Sequence, residues 1–110
     1  MDIFSAEAEA RFALRCEQHL REYFPEQYHQ LGAEAVADSV RMALDKAHRY
    51  QLVSERDILR FLNLMYTLGF EFDRNVPWAA ETLNNARFTS SSKVRLLTQR
   101  TLLAAGAVKG

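Results

Sequence analysis

The chain has little of what usually betrays a function: one cysteine, two prolines, four glycines and a formal net charge of zero in 110 residues. A single cysteine, Cys16, excludes an internal disulfide and fits a reducing compartment. No apolar run approaches the roughly 18 residues that a transmembrane helix needs, and no basic start leads into an apolar core. Neither a span nor a signal peptide is therefore expected, and a cytoplasmic location is. Also missing are a glycine-rich phosphate loop, G-x-S-x-G and H-E-x-x-H. No repeat, low-complexity tract or strand-like alternation occurs, so the expected class is all-α.

What is present is an ordinary globular composition, 48% hydrophobic and 25% charged, at a length that fits one domain with one core. The expected architecture is a compact bundle of about four to five helices around a central apolar helix near residues 55–68. Residues 1–110 are expected to form one helical domain, with the tail 86–110 as a separately packed or partly ordered helix.

The central segment starts at Ser54, whose hydroxyl is placed to cap the next turn, with Asp57 three residues on in the position of a capping box. Ile58, Leu59, Phe61, Leu62, Met65, Tyr66 and Leu68 cover more of the helix than the stripe of about 100° that one-sided burial needs. Arg56, Arg60 and Asn63 mark what is left for water, and Gly69 stands where a left-handed stop belongs.

Before it, Asp2 or Ser5 is expected to cap a helix running to about Tyr23, with Phe4, Ala8, Phe12, Cys16, Leu20, Tyr23 and Phe24 as its seam. Pro25 ends that helix and opens a short turn, PEQYHQL, closed by Gly32. Residues 33–50 then give a second long helix with Val36, Val40, Ala43, Leu44 and Ala47 inward. Glu34, Asp38, Arg41, Asp45, Lys46 and Arg49 face outward, and Asp38–Arg41 and Arg41–Asp45 have ion-pair spacing. After the central helix, Pro77 starts a short helix ended by Asn84 and Asn85. A last helix over about 92–105 points Val94, Leu97 and Leu102 inward, widened by Leu96 and Leu103, and Gly106 and Gly110 fray its end.

Charge is unevenly spread. Residues 1–40 hold eight acids against three arginines, whereas Arg87, Lys93, Arg95, Arg100 and Lys109 face no acid after position 86. An internal complement to the acidic half, or a solvated face, is preferred to nucleic-acid binding as the account of that tail.

Candidate chemistry is sparse. Cys16 and His19 share a helix face at a spacing that two metal ligands would use, but no second pair accompanies them. Nothing visible lowers the thiol pKa for a Cys–His nucleophile. Glu71 and Asp73 pair as acid–base groups would, yet solvated loop acids are the default. Asp73-Arg74-Asn75 lacks the glycine and distal glutamate of a calcium loop. No catalytic residue, cofactor or metal is expected. Phe70, Phe72 and Trp78, with Arg74 and the two acids, have the composition of an interaction hot spot. Trp78 reads first as a plug at the bundle's end, and for Phe70 and Phe72 plug and contact stand level. As a set, Phe70, Glu71, Phe72, Asp73, Arg74 and Trp78 are the expected partner-binding residues.

Three separated stretches, LREYFPEQYHQLG at 20–32, AHRYQLVSERDI at 47–58 and FLNLMYTLGFEFDRNVPWAAETL at 61–83, carry a resemblance. In this order they resemble small uncharacterised bacterial proteins often encoded beside type VI secretion effectors and their spike or tip proteins. The resemblance covers about residues 10–85. Many of those relatives have one or two more residues between the F-D pair and P-W, and the tail here is longer and more basic. The resemblance implies a non-enzymatic, chaperone-like adaptor whose partner is another bacterial protein, an effector or spike component. No nucleic acid or membrane partner follows from it. An immunity protein neutralising a cognate toxin is the alternative, and a small hydrolase or metal protein comes after that.

Overall fold

The computed structural model describes residues 6–109, with side chains through Leu103. It holds six helices and, among the described residues, no strand. These are α1 (Ala6–Tyr23), α2 (Pro25–Arg49), α3 (Glu55–Leu68), α4 (Phe72–Asn75), α5 (Pro77–Leu83) and α6 (Ser90–Lys109). The expected caps Asp2 and Ser5, the seam residue Phe4 and the fraying Gly110 lie outside the described residues.

α1 buries the face that its spacing dictates, Ala8, Phe12, Cys16 and Leu20, against α2. Tyr23, placed in that seam by its spacing, is instead exposed, and its ring stacks on His19 at 4.7 Å. Phe24 breaks the helix before Pro25, which occupies the first turn of α2. The segment after Pro25 is not the short turn expected from the sequence. Pro25 to Leu31 is helical, and Gly32, at φ 84° and ψ 162°, breaks the path before the helix resumes. Only glycine adopts that backbone conformation readily, so the stop is where the sequence put it and the helix before it is longer.

The end of α2 is a Schellman turn. Leu52 N–H donates to Ala47 O at 2.8 Å and Gln51 N–H to His48 O at 3.3 Å, with Gln51 left-handed at φ 62°. Leu52 closes the turn by entering the core.

α3 is the centre. It packs on α2, α4 and α6, and its side chains reach α1 through the Arg15–Glu55 ion pair at 2.7 Å and the His19–Asn63 hydrogen bond at 2.7 Å. Ser54 caps it, its Oγ accepting from Asp57 N–H at 3.1 Å. The reciprocal half of the box is not made: the Asp57 carboxylate accepts from Ser91 Oγ of α6 at 2.8 Å instead. The short aspartate side chain has turned to a tertiary partner. Gly69 ends α3 at φ 114° and ψ 150°, outside the range of a side-chain-bearing residue.

α6 starts earlier than expected, at Ser90, directly after Thr89, whose Oγ1 caps it by accepting from Ser92 N–H at 3.2 Å. Gly106 lies within its span, a single glycine being tolerated at about 1 kcal/mol. Val94 and Leu97 fasten it to α3 and α5.

Candidate functional site

The stretch from Gly69 to Trp78 was expected to be an acidic loop with solvated carboxylates, Trp78 plugging the bundle's end and Phe70 and Phe72 balanced between plug and contact. It is instead a clasp. α4 forms within it, closed by Asn75 N–H to Glu71 O at 2.9 Å and Val76 N–H to Phe72 O at 3.0 Å. Phe72 turns inward, 1% exposed, with its ring 5.1 Å from that of Phe61 on α3. Phe70 is half-buried against Tyr66 at 5.1 Å. Trp78 is half-buried on the core, and the Arg100 guanidinium lies 5.1 Å over its ring.

Lys46 of α2 locks the clasp. Its Nζ donates to Phe70 O at 2.7 Å, Glu71 Oε2 at 2.8 Å and Asp73 Oδ1 at 2.7 Å, using all three ammonium protons. Tyr50, one turn further along, donates its hydroxyl to Asp73 Oδ2 at 2.7 Å. Both oxygens of Asp73, itself 1% exposed, are thereby satisfied. Burial alone would push the Asp73 carboxyl up, but the hydrogen bonds from Lys46 and Tyr50 outweigh it and hold the group below the usual carboxylate range. Burial, with Asp73 as neighbour, pushes the Tyr50 hydroxyl up to about 12.

Two expectations fall here. Lys46 faces inward, 5% exposed, and not outward with the other charges of its helix. Phe72 and Asp73 cannot be partner contacts, because both are enclosed by the fold. Glu71 is partly exposed but committed to Lys46 and, at 3.5 Å, to Arg74. Arg74 is the exposed member of the predicted set. Asp73 is thus a buried carboxylate whose two oxygens are engaged by Lys46 and Tyr50 within the fold.

Cys16 and His19 do not form a working pair either. The thiol is buried and desolvation pushes it up to about 12, far from a nucleophile's range. His19 engages Asn63 and Tyr23. Among the described residues no group of three or more His, Cys, Asp or Glu side chains is placed to hold a metal ion. Nor is any helix of the described residues long and apolar enough to cross a membrane.

Among the described residues, exposed large apolar side chains are scattered at Leu14, Tyr23, Leu31 and Val53 and gather on and just before α6. Leu102 and Leu103 are 66% and 73% exposed, where the seam had placed Leu102 inward. Leu96 and, just ahead of the helix, Phe88 are also exposed. Leu96, Leu103 and Phe88, with Arg100 and Thr82 of α5, line an open apolar depression of about 640 Å³. Sequence spacing missed this because α6 packs chiefly on α3 and α5, so a narrow strip of it is buried and, among the described residues, its wider apolar face is left exposed. The chain was compared with family models, curated proteins and solved structures, and it matches none of them.

Proposed function

We propose that the protein is a non-enzymatic binding module whose contact surface is the outer face of α6. One observation carries this reading: Leu96, Leu103 and Phe88 sit exposed around a depression bordered by Arg100, in a segment that has no acid after position 86. Large apolar side chains rimmed by one sign of charge are the composition of an interaction face. The complementary partner is an amphipathic helix with leucine-like anchors and acidic flanks, which would satisfy the arginines as it covers the leucines. The resemblance of residues 10–85 to proteins encoded beside type VI secretion genes supports an effector or spike component as the protein that supplies this helix, in an adaptor or chaperone-like role.

The test is co-expression with the products of adjacent genes, followed by affinity measurement on the purified pair. Leu103→Glu should weaken the complex by at least about tenfold, as loss of an anchor side chain does, with the helical circular dichroism unchanged. Phe70→Ala should leave affinity alone. If no adjacent product binds, or if Leu103→Glu binds as well as the parent, the reading fails. Protection of cells from a toxin would identify an immunity protein instead.

A further inference from the structure

A second concave feature lies on the other flank of α6, where it crosses the start of α3. Ser54, Arg56 and Arg60 on one side and Ser92, Arg95 and Thr98 on the other line a groove of about 610 Å³. We propose that this groove binds a phosphate-bearing small molecule, at a site distinct from the leucine depression although Gln99 borders both.

The first support is charge. Three guanidinium groups line the groove, and among the described residues none of them has an ion-pair partner, whereas Arg15, Arg41 and Arg74 each have a carboxylate. The sole acid in the lining is Asp57, 4% exposed, with one oxygen occupied by Ser91. The excess is about two positive charges, the complement of a phosphate dianion, and the planar guanidinium fork suits phosphate oxygens.

The second support is an unused set of donors. Ser54 Oγ accepts from Asp57 N–H and Ser92 Oγ accepts from Thr89 Oγ1, which leaves each hydroxyl proton available to an external acceptor. Thr98 also lines the groove, but its hydroxyl oxygen is shielded from solvent and is not counted among these donors. The N-terminal ends of α3 and α6 also meet here, adding their positive dipole ends to the arginines' field.

The groove is larger than a bare phosphate, and exposed Leu102 at its edge offers an apolar lip for an organic body. A nucleic acid fits less well. The arginines converge on one concavity, and residues 1–40, with eight acids against three arginines, would repel a long polyanion.

The experiment is calorimetric titration of the full chain with pyrophosphate and, separately, ATP, at constant ionic strength. Saturable one-to-one binding is expected, weakened roughly ten- to a hundredfold by Arg60→Gln or Arg95→Gln, the range for loss of a charge-assisted bond. Exposed Arg56→Gln serves as a further variant should Arg60→Gln disturb folding. Arg21→Gln on α1 and Leu103→Glu should bind as the parent does, and the latter separates this site from the partner face. Tighter binding of ATP assigns a nucleotide-like ligand, and tighter binding of pyrophosphate a smaller one; either supports the site. The proposal is overturned if neither probe saturates at millimolar concentration, or if the groove variants bind like the parent. It is equally overturned if only duplex DNA binds, with steep salt dependence.

Discussion

Replacing Lys46 by methionine keeps most of the side chain's volume and removes its charge, which isolates the role of the ammonium group. In the parent, Nζ neutralises Asp73 at 2.7 Å in a site where the two side chains are 6% and 0% exposed. After the change, Tyr50 still bonds Oδ2, but Oδ1 and Phe70 O lose their donor. Leaving one member of a buried ion pair stranded typically costs about 3–5 kcal/mol, a large share of the roughly 5–15 kcal/mol that holds a domain together. Glu71, half exposed, can turn to solvent and should contribute little.

The pH response gives a sharper test than the magnitude. The parent's Asp73 has a folded pKa below its unfolded value, so its contribution is present above the unfolded value and is lost only as pH falls through the folded one. Between about pH 5 and 7 that contribution is flat. Without Lys46, burial dominates and the folded pKa rises above the unfolded one. Stability of K46M should then decrease as pH rises across the same range, the opposite dependence from that of a paired carboxylate. Urea unfolding followed by far-ultraviolet circular dichroism at several pH values measures both quantities. Adding Asp73→Asn removes the stranded charge and should recover about 1–3 kcal/mol near neutral pH. If K46M loses less than about 1 kcal/mol, or grows more stable as pH rises from 5 to 7, the clasp is not held as described.

Phe72→Ala should cost about 3–5 kcal/mol in the same urea assay, because the ring is buried against Phe61; a loss below 1 kcal/mol would mean that the ring is not in the core. Gln51→Gly should stabilise by about 0.5–1 kcal/mol, since glycine meets the left-handed turn at φ 62° without the strain of a side chain; an unchanged or lower midpoint would contradict the Schellman geometry. On the alkaline side, Tyr50 has its hydroxyl raised to about 12, so its contribution is complete below about pH 10 and disappears as pH climbs through 12. Tyr50→Phe should flatten that alkaline limb.

Periodicity was legible wherever a helix buries one stripe. The seams of α1 and α2, the breadth of α3, the Ser54 cap and the stops at Gly32 and Gly69 follow from spacing and backbone preference. Chemistry of single residues was less so. Lys46 was set outward because it is charged, although Ser39, Ala43, Lys46 and Tyr50 recur at fours and threes and are all buried. That rhythm includes a lysine, a serine and a tyrosine among inward positions, and a buried lysine requires anionic partners from elsewhere in the chain. Glu71 and Asp73 were the acids available, but nothing local ties residue 46 to residue 73. The pairing is long-range and emerges only when α2 and the clasp are placed side by side. The exposure of Leu102 and Leu103 was hidden for a related reason, since spacing reveals an apolar face without revealing whether a neighbour covers it.

The distribution of charge gains meaning from the same placement. An acidic first half and a basic last segment invite an internal match, in which α6 would lie along α1 or α2 and neutralise them. The contacts run otherwise. α6 rests on α3 and α5, and no ion pair among the described residues joins it to either acidic helix. What fastens α6 is apolar, through Val94 and Leu97, with Ser91 bonded to Asp57. Its arginines form no ion pair with the fold among the described residues: Arg95 fronts the groove, and Arg100, which also lies over the Trp78 ring, borders the leucine depression. Screening by salt should therefore barely change the unfolding midpoint while weakening whatever anion or acidic helix these faces take up. A stability that fell steeply with added salt would instead show that the two halves hold each other by charge, and would leave α6 with no cations to spare for a ligand.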